Sequence, residues 1–344
     1  MVTTFTPGTV PSAESKKGMV LVHGAGNFQP GYEKPLIDYI CNKLGCQEVA
    51  VKPVFYSDAF KNWLMPQARH TMWTQNQEFQ AFHKKFCNEA AREKLLRVAA
   101  AMPLTQVAQF ALGSLQSVNM AALLSLALQP TINTSIIMNL LNPLLSKISG
   151  SSLQDLLDRI NDAFKPPAAV TAPLMTPSTS SLGSGGLDLS LVVEMVYHYL
   201  YDHVIQQDIQ MLVEKTLLDA VQNFDEVVLV SHSLGNLVAF DVLNNWSHGE
   251  TKVTDWFTLG CPLLKSRRLR PGNPGSDHLP PGRVQRWYNV YDTNDIIADP
   301  LGPVFGRPGS YIYDVYVEVG HDPLSAHDYL NSNPTRDLIA EALA

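Results

Sequence analysis

The stretch VVLVSHSLGNLVAFD, from Val227 to Asp241, constrains the fold more than any other part of the chain. Four apolar residues run unbroken into Ser231-His232-Ser233-Leu234-Gly235, and a second apolar stretch follows. A continuous apolar run of this kind suits a strand covered on both faces, the situation found in parallel sheets. The small residues after it mark a sharp turn, and Asn236 to Leu243 leaves that turn with an apolar helical face. Strand, turn and helix in such close succession form a fragment of an α/β sheet.

The rest of the chain repeats this rhythm. Gly18 to Gly26, GMVLVHGAG, reads as a strand ending in glycine turns. Tyr32 to Leu44 carries a helical pattern closed by Gly45. Val49 to Tyr56, Val253 to Leu259 and Val284 to Val290 read as further strands, and Tyr311 to Val319 as an edge strand. Asn333 and Pro334 look like the N-cap and first residue of a final helix through Leu343. Six strands alternating with helices predict a mainly parallel, doubly wound sheet, which binds ligands at the carboxyl ends of its strands.

Residues 61–190 interrupt the alternation and read as a helical cap inserted between the second and third strands. Residues 18–60 and 191–344 then form the two parts of the core, and 1–17, rich in Ser, Thr and Pro, a flexible arm. From Val98 to Ser146 the cap has no Asp, Glu, Lys, Arg or His. Recurring Gln, Asn, Ser and Pro break it up, and no 18-residue run is wholly apolar, so it does not read as a membrane span. Thr171 to Gly186 is low in complexity and reads as a link, and Lys265 to Arg283 as a basic, Pro- and Gly-rich loop.

Composition excludes some functions. The net charge of −7 over 344 residues speaks against a nucleic-acid binder, which usually shows a basic face. The N-terminus has no apolar segment of the secretory kind, so a cytoplasmic location is expected. Cys41, Cys46, Cys87 and Cys261 form no CxxC pair and read as free thiols. A Cys41–Cys46 bridge would require export by another route.

The turn after Val230 answers a chemical need. A serine hydroxyl becomes a nucleophile only when a base takes its proton and the backbone exposes it. At the apex of a strand-to-helix turn, the residues two before and two after must be small, because the backbones nearly collide there. Ser233 meets this with Ser231 and Gly235, whereas Ser231 would be flanked by Leu229 and Ser233. The following helix aims its first amides, including that of Leu234, at the same point. Ser233 is therefore the predicted nucleophile.

At these residues the chain resembles the α/β-hydrolase superfamily, in particular its lipase and carboxylesterase branch. SHSLG resembles the G-x-S-x-G elbow, with Ser231 in place of the first glycine, a change that should tighten the turn. VLVHGAG resembles the strand and oxyanion loop before it, and TLGCPL, Thr258 to Leu263, a strand end of lipase-like members. WYNVYDTNDIIADPL, Trp287 to Leu301, is similar to the segment carrying the acid, and SAHDYL, Ser325 to Leu330, to the segment carrying the base. The resemblance covers the core, about residues 18–60 and 190–340, and not the cap. It implies the chain order Ser, Asp, His. His327 is favoured as the base over His321, and Asp295 as the acid over Asp292, with Asp299 the third carboxylate nearby. His232 is read as structural. The backbone amides of Ala25 and Leu234 would form the oxyanion hole, with Gly26 supporting the loop.

Other groupings are weaker. Glu194, His198 and Asp202 share a helix at i, i+4, i+8, and a solvated helix face is the expectation rather than a metal site. Arg267, Arg268, Arg270, Arg283 and Arg286 are expected to be solvated. The chain thus reads as a serine esterase or lipase that needs no cofactor or metal. Its substrate would be a small-molecule or lipid ester with an apolar acyl chain, and transient lipid contact is expected through the cap. An amidase or acyltransferase would use the same triad. A silent interaction module would keep the fold and bind a partner through the cap.

Overall fold

The computed structural model describes residues 16–26, 28–100 (backbone alone from 92), 158, 160, 162–166, 170, 189–271, 278–306, 312–322 and 325–344. Almost all of the charge-free segment, the Thr171–Gly186 link and much of the expected cap lie outside these residues, as does nearly all of the N-terminal arm.

Six strands form one sheet: β1 Lys17–Val22, β2 Val51–Val54, β3 Glu226–His232, β4 Val253–Leu259, β5 Arg286–Tyr291 and β6 Ile312–Tyr316. Their order is β2-β1-β3-β4-β5-β6, and every pairing is parallel. The final strand lies at an edge, as expected. Since successive side chains point to opposite faces, the central strands feed two cores. Val20, Val22, Val227 and Leu229 face one side, and Met19, Leu21, Val228 and Val230 the other.

Helices cover both faces. Helices α1 (Lys34–Leu44) and α9 (Asn333–Leu343) pack together over the second core. Between β2 and β3 lie a short 3-10 turn at Ser57–Phe60 and four helices among the described residues: α2 (Pro66–Gln75), α3 (Gln77–Ala100), α4 (Leu189–Tyr201) and α5 (His203–Asn223). Helix α5 lies on β1, β2 and β3 and against α6 (Leu234–Asn244), which leaves the central turn. Helix α1 ends at Gly45 in the left-handed region, as expected. The final helix has Ser332, one residue earlier than expected, as its N-cap. Among the described residues no helix is long and apolar enough to cross a membrane.

Several sequence expectations need correction. β2 ends at Val54 rather than Tyr56, because the Tyr56 amide is committed to the His23 ring instead of the sheet. The stretch from Lys265 is not wholly loop: Leu263–Leu269 forms helix α7, with the buried Leu263, Leu264 and Leu269 as its apolar stripe. A further short helix, α8, spans Gly302–Phe305. The arginines are also largely engaged. Arg268 pairs with Glu89 at 2.8 Å, Arg270 with Asp241 at 2.7 Å, and Arg286 holds Asp255 through two nitrogens at 2.6 and 2.8 Å. Arg283 donates to the Trp246 carbonyl at 2.6 Å. All four cysteines are free thiols.

Candidate active site

The site lies at the carboxyl ends of β1, β3, β4 and β5. Its centre is Ser233, between the end of β3 and the start of α6, with φ 52° and ψ −121°. A non-glycine residue there costs on the order of 1–3 kcal/mol and persists only where its surroundings hold it. Here they do. The Ser233 amide donates to the Leu259 carbonyl at 2.9 Å, and the Asn236 side chain reaches the same oxygen at 2.9 Å. Ser231 Oγ donates to Asn236 Oδ1 at 2.6 Å and accepts from Trp256 Nε1 at 2.8 Å. Ser231 thus braces the turn with its hydroxyl occupied both as donor and as acceptor. Ser233 Oγ, by contrast, is buried with no hydrogen-bond partner among the described residues.

Close backbone approach explains the small neighbours. A Cβ on Gly235 would collide with the carbonyl oxygens of His23 and Val22, and one on Gly24 would sit 2.8 Å from Ser233 Cβ. The loop after β1 therefore lies directly against the serine. Leu234 is the first residue of α6, so its amide has no carbonyl one turn back within the helix. Ala25 is buried three residues beyond the end of β1.

His327 and Asp295, the favoured base and acid, come together. His327 Nδ1 lies 2.8 Å from Asp295 Oδ2, with both side chains wholly buried. The carboxylate also accepts the Ile297 amide at 2.8 Å and the Tyr329 hydroxyl at 2.9 Å. Burial alone would raise the Asp295 carboxyl, but the His327 imidazole and these donors hold it below the usual range. With Nδ1 donating to the carboxylate, Nε2 points away from it, and it too is buried with no hydrogen-bond partner among the described residues. Ser233 and His327 lie against the same turn after β4. Leu259 accepts the Ser233 amide, while a Cβ on the next residue, Gly260, would lie 2.8 Å from His327 Cε1.

The alternative candidates have other occupations. Asp292 accepts amides from Asn294 at 2.8 Å, Val319 at 2.7 Å and Gly320 at 3.1 Å, so it ties two loops together. Asp299 pairs with the fully buried Lys265 at 2.5 Å, and the same ammonium donates to the Ile297 carbonyl at 3.1 Å. His321 is 89% exposed and lies by Glu318. His232 Nε2 donates to the His327 carbonyl at 3.0 Å. Burial, with the neighbouring His327, pushes its imidazole down to about 3, so it stays neutral.

The expected solvated face of α4 is a correction. Glu194 is buried, accepting from two Arg69 nitrogens at 2.7 Å each and from Trp73 Nε1 at 2.6 Å. His198 is buried beneath Trp63, their rings 4.4 Å apart. Asp202 caps α5, accepting the amides of Val204 and Ile205. No cluster of three metal-ligating side chains occurs among the described residues.

Several contributors have no motif in the sequence. Tyr329 bridges Asp295 and the Asp292 amide, and Asn236 locks the elbow. Tyr56 binds the loop after β1 from the far side, and Met195 Sδ accepts the Gly26 amide at 3.2 Å. The tyrosine inside SAHDYL was the one available signal among these. No family model, curated protein or solved structure matches the chain.

Proposed function

We propose that the chain is a serine hydrolase of α/β-hydrolase type acting on carboxylic esters with an apolar acyl part. The observation that carries this reading is that Ser233 Oγ and His327 Nε2, two of several buried side-chain atoms without a hydrogen-bond partner among the described residues, flank the same Leu259–Gly260 turn. Buried polar groups are nearly always satisfied, and exceptions call for a functional reason. A strained serine apex and a carboxylate-bound imidazole are what acyl transfer by a serine requires.

In this mechanism Ser233 Oγ attacks the ester carbonyl while its proton passes to His327 Nε2. The carbonyl oxygen becomes an oxyanion, stabilised by the amides of Leu234 and Ala25. Asp295 fixes the tautomer and stabilises the imidazolium without taking the proton. Collapse breaks the ester C–O bond, and His327 returns the proton to the departing alcohol. Water, deprotonated by His327, then attacks the acyl-serine and frees the acid. No step needs a cofactor.

An amidase would protonate an amine in the same step, and an acyltransferase would replace water by another acceptor. A panel of p-nitrophenyl esters from acetate to decanoate, run beside matching anilides, separates these. The expected outcome is ester turnover that rises with chain length, up to about 0.8 kcal/mol per buried methylene, and that is lost in Ser233→Ala. A folded wild type inert on every substrate would favour a silent interaction module.

A further inference from the structure

We infer that Tyr56 is a positioning residue of the oxyanion hole, turning the loop after β1 so that the Ala25 amide faces Ser233; this rests on the hydrolase reading above. The tyrosine stands two residues beyond β2, and the sheet order places β2 and β3 on opposite sides of β1. Its hydroxyl reaches the carbonyl oxygens of both His23 and Gly24, the latter at 3.2 Å. Its amide donates to His23 Nε2 at 3.2 Å, and its ring stacks on the His23 ring at 4.0 Å. His23 Nδ1 in turn lies 2.7 Å from the Gly24 carbonyl oxygen. The next residue continues the pattern, with Ser57 Oγ donating to the Gly26 carbonyl at 3.0 Å and accepting the Phe28 amide at 3.1 Å.

Three carbonyls of one loop are thus drawn towards the residues after β2. No described peptide bond is cis, so within the Gly24–Ala25 peptide the N–H points opposite to the C=O. A carbonyl held by Tyr56 and His23 leaves the Ala25 amide directed away from them. The opposite flank of the loop is where Gly24 meets Ser233 Cβ and His232 Nδ1. Tyr56 is fully buried, and burial raises its phenol well above 10, so the hydroxyl remains a donor at any working pH. The adjacent Gly26 amide is taken by Met195, which fixes the far end of the loop. The oxyanion donor is therefore set by a hydroxyl on a neighbouring strand end that never touches the reacting atoms.

The test is Tyr56→Phe, which keeps the ring stack and removes the hydroxyl. Deleting an oxyanion donor outright lowers kcat about 10²–10³-fold; loosening one should lower it roughly 10- to 100-fold, with KM within about twofold. Affinity for a trifluoromethyl ketone, which forms an oxyanion on the serine, should weaken by the same factor as kcat/KM. Tyr32→Phe removes a comparable hydroxyl bond, to the Leu21 carbonyl at 3.0 Å within β1, and should leave both values unchanged. Should Tyr56→Phe fail to fold, Ser57→Ala releases the Gly26 carbonyl alone and should show the same kcat-selective loss on a smaller scale. Wild-type kcat and ketone affinity in Tyr56→Phe, with an active parent, would overturn the positioning role. A parent that neither hydrolyses the ester nor binds the ketone would overturn the hydrolase reading itself.

Discussion

The two flanks of Ser233 are built from different materials. On the side of β1 and β2 the loop is held by His23, Tyr56, Ser57 and the ring of Phe28, and none of them carries a charge. Burial lowers the His23 imidazole to about 4, so it is neutral near pH 7. Beyond β4 the stretch 292–299 holds three fully buried aspartates, answered by His327, Lys265 and backbone amides. On the hydrolase reading proposed above, the difference follows from what each flank would do. An oxyanion hole meets a charge that exists only during reaction, and fixed dipoles serve it without reorganising. The acid flank must keep a standing negative charge in order to stabilise a transient positive one. That charge needs several donors, since an unanswered buried carboxylate would simply take up a proton.

The comparison breaks most visibly if the charged flank is cut at its centre. Asp295→Asn and His327→Ala should each lower kcat by about 10⁴ while leaving the near-UV circular dichroism unchanged. Asp292→Asn should instead cost stability, about 1–3 kcal/mol through lost amide anchors, with far less effect on chemistry. Exchange of those two profiles would place the acid at Asp292.

Next in size is the buried ion pair. Lys265→Met removes the ammonium that pairs with the buried Asp299 carboxylate and should destabilise the protein by about 3–5 kcal/mol in a urea titration. A midpoint shifted by only a few tenths of a molar would mean that the backbone alone holds that loop.

Acid should separate the flanks. Folded, the imidazoles of His23, His198 and His232 stay neutral down to about 4, 4 and 3, mainly through burial. Unfolded, they protonate near 6.5. The unfolded chain therefore binds more protons, and stability falls as pH drops from 6.5 towards 4, by up to about 1.4 kcal/mol per pH unit for each histidine. Asp295 behaves differently. Its folded pKa is depressed, so its contribution is intact above the unfolded carboxylate value and lost only as pH falls through the folded one. Denaturation midpoints at pH 7, 6 and 5 measure the histidine term, and His198→Gln should flatten part of the slope. A midpoint independent of pH in this window would contradict the buried neutral imidazoles.

The smallest effect concerns Tyr329. Tyr329→Phe removes one of several donors to Asp295, worth about 1 kcal/mol, and should lower kcat roughly three- to tenfold at constant KM. An unchanged kcat would leave the carboxylate to His327 and the Ile297 amide.

What the sequence revealed depended on how local the physics was. The β3 turn was legible because Ser231 and Gly235 answer a steric demand within five residues. The strands were legible because burial on both faces leaves unbroken apolar runs. Asp295 and His327 needed the family resemblance as well, since spacing alone did not separate them from Asp292 and His321. Glu194 was misread because its partner Arg69 lies on another helix, far away in the chain. The composition of α4 held the missing signal. LSLVVEMVYHYLY is apolar nearly all round, and such a helix is buried on every side, its carboxylate included. Tyr56 and His23 gave no warning, because their role exists only after β1 and β2 have paired.

The central claim is that the hydroxyl of Ser233, and not that of Ser231 two residues before it, becomes covalently acylated. A fluorophosphonate probe followed by peptide mass mapping tests it directly. The account predicts a single adduct on Ser233, absent from Ser233→Ala and retained in Ser231→Ala, which loses only the brace between Asn236 and Trp256. An adduct mapped to Ser231, or one that survives in Ser233→Ala, would contradict it.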